Sequence, residues 1–146
     1  MNKKILATLA VGTALALSAC SAASGPQLAI MEEGGNAQLP EWLEHDGNLP
    51  LNDLTKIAEV DDLIVFASRN DDDEWCMIAV LTPTAEHEEW AAGSSCSSPA
   101  LFAERGITVG TGSQFSSAGA QLLPDRYTGP IEDGWARIND NLAVRE

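Results

Sequence analysis

The chain has 146 residues, enough for one domain but not two. Eight Lys and Arg oppose 22 Asp and Glu, a net charge of -14, which excludes nucleic acid as a partner because phosphate recognition needs a cationic footprint. Hydrophobic residues at 45% and charged residues at 21% make a globular balance, not a disordered one. The first element is Lys3 and Lys4 followed by an uncharged apolar stretch over 5–17. At 1.5 Å per residue that stretch is short for ~30 Å of hydrocarbon. Its flanks are those of an export signal, so residues 1–19 are set aside from the fold.

The signal ends in Leu17-Ser18-Ala19-Cys20. This resembles the lipobox of bacterial lipoproteins, in which an aliphatic residue and two small residues precede an obligatory cysteine. The resemblance implies cleavage before Cys20 and attachment of a diacylglycerol to its sulfur. Two acyl chains anchor stably where one binds reversibly. The expected partner of Cys20 is therefore the lipid bilayer, and the expected location is the extracytoplasmic face of the cell membrane. Cleavage removes Lys3 and Lys4 and no acid, leaving 6 basic and 22 acidic side chains and a net charge of -16. An anionic leaflet repels such a body, so attachment falls to the lipid.

Residues 20–39 read as a flexible tether, with Ser, Ala and Gly early and Glu32-Glu33-Gly34-Gly35-Asn36 late. About twenty such residues reach ~25 Å. The only apolar cluster, 27–31, is a short strand on the domain or, more in keeping with its neighbours, part of the spacer. Residues 40–146 form a single small globular domain. Leu51, Leu54, Ile57 and Ala58 fit helical spacing, yet Asp61-Asp62 also suits a tight turn that makes 55–60 a strand; the strand is preferred. The apolar runs 63–68 and 75–81 flank the polar cluster 70–74 and predict a hairpin. Both runs are continuous, which implies cover on both faces. Residues 90–96 supply a further strand. A helix over about 98–105 follows, with Ser98 as N-cap, Pro99 at the first position and Gly106 past the end. Residues 107–110, 120–123 and 141–144 are short strands set apart by Gly, Ser and Pro. The expected fold class is α+β: a mainly antiparallel β-sheet domain with one short helix and one disulfide.

Three cysteines is an odd count. Lipidation of Cys20 leaves Cys76 and Cys96, and in an oxidising compartment a disulfide is the default for such a pair. Closing about twenty residues is worth roughly 3 kcal/mol. A metal site using Cys76, His87 and Cys96 lacks Cys-x-x-Cys spacing and a fourth ligand, so no metal is expected.

The remaining motifs exclude more than they assign. A calcium loop starting at Asn70 would need Gly where Trp75 stands and Glu where Leu81 stands. His87-Glu88-Glu89-Trp90-Ala91 is not a zinc-protease motif. His45-Asp46-Gly47 is turn material. Gly93-Ser94-Ser95-Cys96-Ser97 lacks a nucleophile elbow, and Gly110-Thr111-Gly112-Ser113 lacks the third glycine of a dinucleotide loop. No catalytic residue and no cofactor are expected. Four tryptophans, Trp42, Trp75, Trp90 and Trp135, stand in a chain with 5% aromatics. Large aromatics fill cores and line binding surfaces alike. Trp75, Trp90 and His87 are the candidate binding residues.

From Asp62 onward, the hairpin with Cys76, the segment ending at Cys96, Pro99-Ala100-Leu101-Phe102-Ala103-Glu104-Arg105-Gly106, Leu122-Leu123-Pro124-Asp125 and Asn141-Leu142-Ala143-Val144 resemble small exported proteins of unassigned function from high-GC Gram-positive bacteria. The resemblance supports the disulfide and the fold order and implies no activity. The expected function is a membrane-anchored, non-catalytic binding module. Its ligand would be an envelope protein or a cationic molecule drawn by the acidic field. The alternative is a small extracytoplasmic hydrolase using carboxylates or His87.

Overall fold

The computed structural model describes residues 25–33, 37–41, 43 and 52–145. The signal segment 1–19, Cys20, Trp42 and His45 lie outside them. In chain order the elements are α1 (Ala29–Glu33), β1 (Asn52–Val60), β2 (Leu63–Arg69), β3 (Trp75–Leu81), β4 (Ala91–Ser97), α2 (Pro99–Arg105), β5 (Ile107–Gly112), β6 (Ser117–Leu122), β7 (Ala136–Asn139) and β8 (Leu142–Arg145). The strands form two four-stranded sheets, ordered β1-β2-β3-β4 and β5-β6-β8-β7. Every pairing is antiparallel.

The central hairpin forms as its composition dictates. β2 and β3 pair without a break from Leu63 opposite Leu81 to Arg69 opposite Trp75. Asn70 closes their loop: Oδ1 accepts from the N–H groups of Asp72 and Glu74 at 3.1 and 2.9 Å, and Nδ2 donates to Glu74 Oε2 at 2.8 Å. The asparagine thus imitates a backbone turn, and the polar cluster serves the hairpin. Asp61-Asp62 is the tight turn before β2, with Asp61 at φ +52°, a left-handed conformation that aspartate tolerates. Of the two readings for 55–60, the strand is the one formed. β1 also carries register shifts between Asn52 and Thr55 and between Lys56 and Ala58.

Between the sheets, Val65, Ala67, Met77, Ala79 and Leu81 meet Ile107, Val109, Ala120, Leu122, Leu142 and Val144. Both outer faces are also covered. On the first sheet, Phe66, Ile78 and Val80 lie with Leu39, Leu43 and Leu54. On the second, Leu123 and Ala143 lie under Tyr127, Ile131 and Trp135. This is why all seven residues of β3 are buried and its sequence is continuously apolar. By contrast β5 alternates buried and exposed residues.

α2 connects the sheets. Its N-cap Ser98 accepts from Leu101 N–H at 3.5 Å, and the Gly106 N–H donates to Phe102 C=O at 2.9 Å to end it. Gly106 has φ +70°, and a Cβ there would lie 2.3 Å from Leu122 O, so only glycine fits. Phe102 is fully buried, with its ring centroid 5.1 Å from that of Trp75.

The start of the folded body differs from the expected tether. Leu28 is 2% exposed and belongs to the core between the sheets. Residues 29–33 form a helical turn, not a strand. Asp125 fixes this segment from both sides: its N–H donates to Gln27 C=O at 2.9 Å, and its Oδ2 accepts from Ala29 N–H at 2.8 Å. Leu39 is buried as well. Leu28 in the core, Ile30 and Met31 packed against it and the Asp125 clamp dock a stretch whose composition reads as spacer, so the described part of 20–39 belongs to the globular body. Among the described residues no helix is long and apolar enough to cross a membrane.

Candidate functional site

The singled-out residues fall in three places. Cys76 and Cys96 are directly opposed on β3 and β4 and form a disulfide. Cys76 is fully buried on the outer face of the first sheet, whereas Cys96 is exposed. Ser68 stands opposite Cys76 in the same row, fully buried, with no hydrogen-bond partner for its hydroxyl among the described residues.

Trp75 is a core residue, 6% exposed. Its ring sits against Phe102 and beneath the Arg69 guanidinium, whose carbon is 4.3 Å from the ring centroid. Arg69 also donates to the Asp73 carbonyl at 2.9 Å and forms an ion pair with the Asp73 carboxylate. The exposed edge of Trp75 lines a groove of about 540 Å³ with Leu28, Met31, Leu54, Arg69 and Asp73. This groove lies at the end where the chain enters the fold. A second groove, of about 580 Å³, runs past Ser95, Cys96, Arg105, Thr108 and Glu132. Gln121 braces its wall, donating to Arg105 C=O at 3.0 Å and accepting from Glu132 N–H at 3.4 Å.

His87 and Trp90 lie at the opposite end. β3 starts at the Trp75 groove and climbs seven residues before the 82–90 loop, a rise of roughly 20 Å. Within that loop the Thr84 N–H donates to His87 C=O at 2.8 Å, and the His87 N–H donates to Thr84 Oγ1 at 3.2 Å. The β5–β6 turn rises beside it. Ser113 Oγ accepts from the N–H groups of Phe115 and Ser116 at 3.2 and 3.3 Å. The two loops are joined by a parallel stack of His87 on Phe115, with centroids 4.3 Å apart and planes within 3°. Gln114 Nε2 donates to Glu89 Oε1 at 2.7 Å across the same junction. Phe115 remains 54% exposed and Trp90 39%. Glu86, Glu88 and Glu89, on the same loop as His87 and Trp90, are exposed.

Phe115 is the site residue that sequence reading missed. It is a single aromatic in a Ser- and Gly-rich turn, and its importance comes from a partner 28 positions away. His87 lines neither of the two grooves. Among the described residues no group of three or more His, Cys, Asp or Glu side chains is arranged to hold a metal ion.

On the outer face of the second sheet, the Tyr127 hydroxyl donates to Pro130 C=O at 3.1 Å, with Glu104 C=O at 3.4 Å. Burial raises the Tyr127 pKa above its ordinary value of 10.0, with Arg137 opposing the shift and Glu104 adding to it. Trp135 lies flat over Gly119, where a Cβ would come within 2.7 Å of its ring. Trp135 is therefore half-buried cover for the sheet.

No protein-family model matches the chain, and no curated protein or solved structure matches it.

Proposed function

We propose that the protein is a lipoprotein held to the extracytoplasmic face of the cell membrane through acylated Cys20, and that its folded body is a non-catalytic binding module. The observation that carries the anchor is the Leu17-Ser18-Ala19-Cys20 motif behind a basic and then apolar leader. The clamp of Asp125 on Gln27 and Ala29 gives the anchor a geometric consequence. Only residues 21–26 separate Cys20 from the clamp, and six residues span at most ~20 Å. The body is then held close to the lipid, with the groove end toward it and the His87–Phe115 end away from it. Binding is favoured over catalysis because the exposed chemistry at the far end is aromatic and is set on two braced loops. The partner is an envelope protein or another cationic ligand attracted by the acidic body.

Membrane fractionation tests the anchor. The wild-type chain is expected in the membrane pellet with the electrophoretic mobility of an acylated protein, and Cys20→Ser in the soluble fraction. A Cys20→Ser chain that stays in the pellet with unchanged mobility overturns the proposal.

A further inference from the structure

We propose that the loop end formed by His87, Trp90 and Phe115 among Glu86, Glu88 and Glu89 docks a lysine- and arginine-rich segment of a partner protein; this rests on the binding-module reading above. The surface is built, not incidental. The hydrogen bonds of Thr84 and Ser113 set the two turns, and the His87–Phe115 stack and the Gln114–Glu89 bond lock them together. Neither turn needs an aromatic side chain for its backbone geometry. Phe115 nevertheless leaves more than half of its surface in water, and an exposed large aromatic held on a braced turn marks an interaction surface.

The charge pattern selects the occupant. Guanidinium and ammonium groups are drawn to aromatic faces and pair with carboxylates. The fold already uses this geometry twice, with Arg69 4.3 Å from the Trp75 centroid and Arg145 5.8 Å from that of Trp135. At the loop end the rings and carboxylates are present, while Arg145 of β8 lies 5.8 Å from the Trp135 centroid and lines a pocket with Asp61 and Asp62. Asp61 and Asp62 of the β1–β2 turn add further negative charge there, since Asp62 C=O accepts from Thr82 N–H at 2.8 Å. Several carboxylates spread over two loops match a ligand with several cations along a chain. The long-range field of the acidic body steers such a segment inward.

The test titrates a fluorophore-labelled decapeptide of alternating lysine and arginine with the full-length chain in zwitterionic micelles, following the anisotropy of the label. Controls are an all-glutamate decapeptide and a neutral chito-oligosaccharide. Binding of the basic peptide alone is expected, weakened about tenfold by Phe115→Ala combined with Trp90→Ala, and similarly by Glu86→Gln combined with Glu88→Gln. Raising the salt should weaken it further. Unchanged circular dichroism shows that the variants are folded. Equal affinity of wild type and variants, no binding, tighter binding of the oligosaccharide, or a chain whose self-association disappears in the variants each overturns the proposal. A photo-crosslinker placed in intact cells at position 115, and separately at Met31 in the groove, isolates the source of a failure. A basic segment captured from 115 supports the proposal. Capture from 31 alone overturns it and leaves the binding module standing, and capture from neither position overturns both.

Discussion

At the end where the chain enters the fold, Trp75 lies under Arg69 and against Phe102, with Leu28 in the same core and Asp125 tying the incoming segment down. At the opposite end Phe115 is 54% exposed and Trp90 39%, on loops held by short hydrogen bonds and one ring stack. The same residue type is packed at one end and displayed at the other. What separates them is the layer above. α2 and the docked 25–33 segment roof the first end, whereas at the second no helix is packed over the turns among the described residues. Stability should therefore concentrate at one end and recognition at the other, because elements that bind are drawn from regions whose loss the core tolerates.

This contrast can be broken by mutation. The largest effect is expected from Phe102→Ala, which empties the fully buried junction of α2 with Trp75: a loss of about 3–5 kcal/mol in urea unfolding. Replacing Cys76 and Cys96 together by alanine should cost about 3 kcal/mol, the closure of a 20-residue separation. The same loss should appear on adding reductant to the wild type. Leu28→Ala comes next, at about 2–3 kcal/mol for a side chain 2% exposed. If that variant unfolds like the wild type, the segment is a tether after all and the two ends are less different than described.

Tyr127 gives a pH signature on the roofed side. Its raised pKa means that the native state keeps the phenol proton where the unfolded chain has lost it. Its contribution is complete below pH 10 and falls as pH rises through the ordinary value toward the native one. Tyr127→Phe should flatten that alkaline slope in thermal melts and leave the curve at pH 7–9 unsloped by this group. The smallest effect belongs to the displayed end. Phe115→Ala should change unfolding free energy by less than about 0.5 kcal/mol, as exposed substitutions do. A much larger loss would mean that the His87 stack is structural.

The contrast also explains what the sequence made legible. The β2–β3 hairpin, cover on both faces of β3, the caps of α2 and the cysteine pair each follow from local rules: β-branched runs, a polar turn, Ser-Pro before and Gly after a helix, and two cysteines left to pair with each other. α1 and the burial of Leu28 do not. Leu28 belongs to the apolar cluster 27–31, which is too short to show a period, and the clamp that holds it comes from Asp125, ninety-seven residues on. β7 escaped as well. Its four residues are all exposed, so no apolar period marks it, and pairing with β8 alone defines it. The displayed end was half legible. His87 and Trp90 draw attention by type and neighbours, whereas Phe115 gains its place from a ring stacked across two sheets.

The position of the cystine has a consequence for what happens to the protein once its chain is cut. Cys76 and Cys96 sit on either side of the exposed 82–90 loop, as near neighbours on adjacent strands. A peptidase that cuts this loop divides the chain into one piece bearing β1 to β3 and another bearing β4 to β8. The sulfur–sulfur bond keeps the pieces together. A nicked molecule would run as one band without reductant and as two with it, and its severed halves would stay joined for as long as the bond survives.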